Sequence, residues 1–257
     1  MSTYEVITDT GVERTFSSTL AHVQALEKSY GAANYDSLPI VLSHGQGALL
    51  WDSTGKRYID MMSAYSAVSH GHCHPRLVEE LFTQAQRLSI CSRAFYSEKL
   101  APFLKRACEL TGMDRALPMN TGVEAVETAI KAARKWAYTV KGVAQDQAEI
   151  LVCKGNFHGR TTAVIAMSSK HQYQYGFGPF PAGFKIISYG DSQALEQAIT
   201  PQTAAFLVEP IQGERGIIVP SAGYLQEVAA ICKKNNVLLL LDEIQTGLGR
   251  TGLVFSV

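Results

Sequence analysis

Val237-Leu238-Leu239-Leu240-Leu241, followed at once by Asp242-Glu243, is the stretch that most limits what this chain can become. Five apolar residues in a row fit a strand covered on both faces, as in the interior of a parallel sheet, better than an alternating half-exposed strand. Asp242 then falls at the carboxyl end of that strand, where open α/β sheets place their ligands. A carboxylate so poorly hydrated needs a cationic partner or good hydrogen bonds. The plainer alternative is a strand-end aspartate that caps a turn.

The 257 residues, 46% hydrophobic and 18% charged, suit one large globular domain or a large and a small one. Twenty-three basic and 23 acidic residues cancel, which argues against a nucleic-acid or membrane surface as partner. No apolar run has the length to span a bilayer. Met1–Thr10 has neither a secretory apolar core nor the Arg-rich character of a transit peptide, so a cytoplasmic location is expected. The five cysteines (Cys73, Cys91, Cys108, Cys153, Cys232) are scattered and form no Cys-x-x-Cys pair, the pattern of reduced thiols and not of a disulfide framework or zinc site.

In chain order, residues 1 to about 36 read as irregular with one helix near Thr19–Ser29, carrying Leu20, Val23 and Leu26. Ile40–Leu42 and Ala48–Trp51 are strand candidates, and Asp52–Lys56 is a hairpin turn leading to Arg57–Ile59. His70-Gly71-His72-Cys73-His74-Pro75 offers metal-binding side chains. Alternating residues do not converge on one ion without a special loop, however, so a turn before helix Pro75–Arg87 is the preferred reading and no metal is expected. Glu98–Leu110 is a further helix. Val123, Val126, Ile130, Ala133 and Ala137 mark a long one opening at Thr121-Gly122, with Glu127 and Lys131 as an exposed i,i+4 pair. Such an opening offers backbone N–H groups and the positive dipole end to an anion; an ordinary Thr N-cap is the alternative.

Strands at Glu149–Cys153, Lys185–Tyr189 and Ala204–Pro210, a short helix at Gln193–Ile199 and a helix at Tyr224–Lys234 complete the series before the leucine strand. Strands alternating with helices imply a doubly wound α/β domain with a mostly parallel sheet. Its carboxyl rim should gather Thr121, Phe157, Glu209 and Asp242. Gly247-Leu248-Gly249-Arg250-Thr251-Gly252 matches G-x-G-x-x-G literally, but no helix and no acidic residue follow it in the remaining residues, so it reads as a glycine-rich loop and not a dinucleotide fingerprint.

Thr121-Gly122-Val123-Glu124-Ala125, Gly155-Asn156-Phe157-His158-Gly159-Arg160-Thr161, Val208-Glu209-Pro210-Ile211-Gln212-Gly213-Glu214 and Leu241-Asp242-Glu243-Ile244-Gln245-Thr246-Gly247, in this order, resemble the class III pyridoxal-phosphate-dependent aminotransferases. Ala33-Asn34-Tyr35 and Ser63–Val68 bring the likeness nearest to the branch of that family acting on ornithine; acetylornithine and 4-aminobutyrate are the neighbouring donors. The resemblance implies the large domain of pyridoxal-phosphate fold type I over residues 71–257. It implies a small-domain α+β segment over residues 1–70, a homodimer, and a place in arginine and proline metabolism. The implied reaction takes the δ-amino group of ornithine to 2-oxoglutarate, giving glutamate 5-semialdehyde and glutamate. In it Thr121, Gly122 and Val123 hold the cofactor phosphate, Phe157 stacks on the ring, Asp242 faces the ring nitrogen and Gln245 the phenolic oxygen. Tyr35 and Arg160 bind the substrate carboxylate, Tyr65 lines the pocket, Glu209 lies near the substrate, and Glu214 pairs with an arginine of a C-terminal domain.

Three residues depart from the family's motifs: Val126 where glycine is usual, expected to crowd the helix beneath the phosphate loop, and His158 and Arg215, expected to tune the rim. The family's Schiff-base lysine follows the ring-binding aspartate by a few tens of residues; 15 residues follow Asp242 here and none is lysine. The expectation is therefore a truncated chain without the C-terminal domain or the last two strands, inactive alone, or a non-catalytic binder of the cofactor. Those two strands are expected between the first strand and the one ending at Glu209, leaving both with unpaired edges.

Overall fold

The structure, a computed structural model, describes residues 19–256; the N-terminal reading lies outside them for residues 1–18. The chain divides into two compact units, Met1–Phe95 and Tyr96–Val257.

In the N-terminal unit α1 (Leu20–Tyr30) starts where Thr19 accepts a hydrogen bond from the His22 N–H. A three-stranded antiparallel sheet follows: β1 (Leu42–Gln46), β2 (Leu49–Asp52) and β3 (Arg57–Ile59). The expected turn is present, with the Asp52 carboxylate accepting from the Thr54 and Lys56 N–H groups. The first strand, however, begins at Leu42 and not at Ile40. A tight turn pairs Gln46 with Leu49 and puts Gly47 at φ +57°, so the register is set from the turn backward. Ser63–Ser66 forms a single left-handed turn, α2, with all four φ angles positive. The Asp60 carboxylate accepts from the Ser63 N–H in front of it and pairs with His72 Nε2 at 2.7 Å. That ion pair occupies the middle imidazole of the histidine run. Pro75 then opens α3 (Pro75–Arg87) at its first position, where a missing N–H is harmless.

The larger unit holds α4 (Leu100–Thr111), α5 (Gly122–Trp136) with a π-helical turn at Ala137–Lys141, β4 (Glu149–Cys153), α6 (Thr162–Ile165) and α7 (His171–Gln174). After them come β5 (Phe184–Ile187), α8 (Ser192–Ala198), β6 (Thr203–Val208), α9 (Tyr224–Lys234) and β7 (Leu238–Leu241). The four strands are parallel in the order β5-β4-β6-β7. Alternate residues serve opposite faces. Ile150, Val152, Ala205 and Leu207 pack with Val126, Ile130 and Ala133 of α5, while Leu151, Phe206 and Val208 pack with Leu195 of α8 and Val228 of α9. This is a three-layer α/β/α arrangement. Val126 fills the first layer of that core.

Two expectations are corrected here. The leucine strand is packed on both faces, with Leu238 and Leu240 against one layer and Leu239 and Leu241 against the other, yet it is an edge strand and only partly buried. β6, expected to have an open edge, is hydrogen-bonded on both sides, to β4 and β7, and all six of its residues are buried. No helix among the described residues is long and apolar enough to cross a membrane.

Because β5 and β6 lie on opposite sides of β4, the connections leaving β4 and β6 diverge, which makes their carboxyl ends the switch point where open α/β sheets place ligands. Phe206 is fully buried at the centre of the second layer. Phe206→Ala should lower unfolding stability by about 3–5 kcal/mol, read as a fall in the denaturant midpoint with unchanged slope.

Candidate functional site

All four of the motifs singled out in the sequence meet at this carboxyl edge, joined by contacts between segments distant in the chain. His158, in the loop after β4, places Nδ1 2.7 Å from Asp242 Oδ2 after β7. The histidine side chain is 0% and the aspartate side chain 6% exposed. The second Asp242 oxygen accepts the Ile244 N–H at 3.1 Å, and the Asp242 N–H extends the ladder to Val208 O. The buried carboxylate thus has the partners that its desolvation demands.

Beside it, Glu209 at the tip of β6 is 8% exposed and accepts the Phe157 N–H at 3.1 Å. Burial pushes its pKa up to about 7, and the nearby Asp242 charge adds to that; His158 and the Phe157 N–H oppose it. Arg160 carries its guanidinium carbon 5.8 Å from the centre of the Phe157 ring.

Thr121 is the N-cap of α5. Its hydroxyl accepts the Glu124 N–H at 3.2 Å, and the Glu124 carboxylate takes the N–H groups of Asn120 and Thr121, each at 2.9 Å. The cap leaves the N–H groups of Gly122 and Val123 at the helix start, with the positive end of the helix dipole behind them. Close approaches draw the segments together. A Cβ at Gly122 would lie 2.9 Å from Ile244, and one at Gly159, whose φ is +128°, 2.4 Å from Val123. At Gly213 a Cβ would sit 1.6 Å from Gln245 Oε1, so a side chain there would displace the Gln245 amide from its present place. Two buried polar atoms at this edge have no hydrogen-bond partner, His158 Nε2 and Gln212 Oε1.

Of the residues expected in the site, Thr121, Gly122, Val123, Phe157, Glu209, Asp242 and Gln245 are thus tied into one constellation, with Arg160 alongside. Glu214 is exposed on the excursion after β6. Tyr35 and Tyr65 belong to the N-terminal unit, where their hydroxyls hydrogen-bond each other. His158 corrects the reading from sequence: it is not a rim residue but the buried partner of Asp242, and the 84-residue separation hides that pairing from any local pattern. Glu127 is a second correction, since its carboxylate is engaged by the Thr161 hydroxyl and not by Lys131. Arg215 is a third. It lies across Gly155 and donates to Lys154 O at 3.2 Å, joining the loops after β4 and β6.

A helix start with the N–H groups of Gly122 and Val123, an aromatic ring and a buried strand-tip carboxylate share one edge of the parallel sheet, donors of the kinds that a phosphorylated aromatic cofactor calls for. The chain belongs to the class-III aminotransferases: the family model described as "Aminotransferase class-III" matches residues 30–257. That family depends on pyridoxal 5′-phosphate. Among curated relatives, the ornithine aminotransferase of Bacillus subtilis (strain 168) is 59% identical over 227 residues, 88% of this chain and 57% of that protein. An ornithine aminotransferase structure from Toxoplasma gondii, described with partial occupancy of pyridoxal phosphate at its active site, superposes with a TM-score of 0.91 at 45% identity. It is matched over 92% of this chain and 56% of that one. The acetylornithine aminotransferase of Elizabethkingia anophelis gives a TM-score of 0.81 at 49% identity, over 92% of this chain and 58% of that one. The chain therefore spans a little over half the length of these relatives.

Glu209 supplies a stability prediction. Its folded pKa is raised from 4.5 to about 7, so its contribution is fully present below pH 4.5 and is lost as pH rises through 7. Glu209→Gln should flatten the stability profile across that window and raise stability at pH 8 by at most about 3 kcal/mol, measured by denaturant unfolding at several pH values.

Proposed function

We propose that the chain is the cofactor-binding part of an enzyme that moves the δ-amino group of L-ornithine to 2-oxoglutarate, giving glutamate 5-semialdehyde and glutamate. The observation that carries this reading is the buried His158–Asp242 pair at the switch point of the sheet, with the α5 helix start and Phe157 on the same edge. When bound, pyridoxal phosphate supplies an electron sink for the carbon that loses a proton.

The donor set fits that group. The N–H groups of Gly122 and Val123 receive phosphate oxygens. The Thr121 hydroxyl, which accepts from Glu124, keeps its own proton to donate. Its N–H is already taken by Glu124, so Thr121 contributes through its side chain alone. Asp242 Oδ1 and Oδ2 each retain a lone pair after bonding Ile244 and His158, enough to hold a proton on a pyridine nitrogen. Phe157 supports the ring face, and Gln245, held against Gly213, serves the ring oxygen.

On the substrate side, the planar fork of Arg160 suits an α-carboxylate. By the family's pattern Tyr35 would bind the substrate carboxylate and Tyr65 would line the pocket, a combination that favours ornithine over its N-acetylated and 4-aminobutyrate relatives. Glu209 would lie near the substrate, and Glu214, exposed, would be open to a cationic partner. We place the protein in the cytoplasm, on its five unpaired cysteines, and in a homodimer, on exposed apolar side chains such as Met61, Ile90 and Tyr96.

Lys234, the last lysine of the sequence, ends α9 and pairs with Glu196 at 2.9 Å, at the amino end of β7 and so at the opposite end of that strand from Asp242. This chain alone should therefore bind pyridoxal phosphate reversibly. Borohydride treatment followed by intact mass measurement should show no site-specific adduct, and no ornithine-dependent turnover should accompany binding. Asp242→Asn should weaken that binding about tenfold or more in a fluorescence titration, since the neutral amide no longer favours the protonated ring. A saturable covalent adduct, or unchanged affinity in the variant, would overturn this reading.

A further inference from the structure

Thr161 stands at the N-cap of α6 with the extended backbone of a capping residue, yet its hydroxyl makes no cap bond to its own helix. A threonine in that place ordinarily accepts one of the helix's first N–H groups. Here the side chain reaches back 34 residues and donates to Glu127 Oε1 of α5 in a half-buried setting. Two residues earlier, Gly159 lies so close to Val123 that a Cβ would overlap it. Val123 and Glu127 are i and i+4 on α5 and so share one face of that helix. Arg160 is consequently the middle residue of a three-residue turn pinned on both sides to the helix whose N-terminus forms the anion cradle. Its guanidinium folds back over Phe157, and no other strong contact of that guanidinium constrains it among the described residues.

We propose that Glu127 is a positioning residue for substrate recognition: by holding the Thr161 hydroxyl it keeps the Gly159–Thr161 turn on α5 and Arg160 aimed at the substrate carboxylate. The inference rests on the site reading given under Proposed function. The bond does two things that an ordinary surface pair would not. It gives a carboxylate at partial depth a charge-assisted donor. It also fixes the loop carrying the carboxylate reader to the same rigid helix that carries the phosphate cradle, so the two ends of the site keep a constant spacing.

The test separates positioning from plain stapling by comparing two ligands. The protein is loaded with 4′-deoxypyridoxine 5′-phosphate, a cofactor analogue without the reactive aldehyde, and titrated calorimetrically with L-ornithine and with 1,4-diaminobutane, which has the amines but no carboxylate. Glu127→Ala should weaken ornithine binding about tenfold, the scale of a lost hydrogen bond to a charged group. It should leave diaminobutane and the analogue within about twofold of the parent. Thr161→Val, which removes only the donor, should reproduce the loss, and Thr161→Ser and Glu127→Gln, which keep donor or acceptor, should recover most of it. Equal losses for both ligands, or for neither, would overturn the inference. A parent chain that takes up no analogue would instead bring down the cofactor reading, and this inference with it. Should Glu127→Ala fail to fold, Thr161→Val carries the same comparison.

Discussion

A buried carboxylate at a strand tip cannot stand without a partner, and the bond between Asp242 and His158 is how this fold meets that demand. It joins the loop after β7 to the loop after β4, across β6, and so ties the last strand to the first. The parallel sheet makes the meeting possible, because it delivers every strand's carboxyl end to one edge. Glycines complete it where bulk would intervene: Gly159 lets Val123 approach and Gly213 lets Gln245 lie flat. The edge is therefore built from contacts of long sequence separation between short, stiff segments.

Two acids share this edge and their surroundings treat them differently. Asp242 has an imidazole and an N–H directed at its oxygens, whereas Glu209 has the backbone N–H groups of Phe157 and Gly213 and a setting in which burial outweighs them. The raised proton affinity of Glu209 follows from that contrast, with the neighbouring charge of Asp242 reinforcing it. The arrangement sets a carboxylate held by a side-chain partner beside one able to exchange a proton near neutrality.

Much of this was legible in the chain. The leucine run gave away a parallel strand, Pro75 marked a helix start to the residue, and Thr121 offered an N-cap that the structure completes as a capping box with Glu124. What local pattern could not carry was the identity of partners. His158 reads as one variable residue in a loop until Asp242 is folded against it. Glu127 reads as half of an i,i+4 pair because its real donor lies on another element. The first strand was misplaced because Ile40–Leu42 is the more apolar run, while register is set by the turn at Gly47. The leucine strand looked central because both its faces are apolar; whether its backbone has a neighbour on each side is a separate question that side chains do not answer.

The strand order has a bearing on how the molecule is made. β4 is laid down first, β5 closes one flank, and every later strand joins on the other flank, β6 and then β7. Growth of the sheet and elongation of the nascent polypeptide thus run in the same direction, so each strand can dock as it leaves the ribosome without waiting for a distant one. From β6 onward the growing flank belongs to the newest strand, which shortens the interval in which sticky backbone is on offer to other chains.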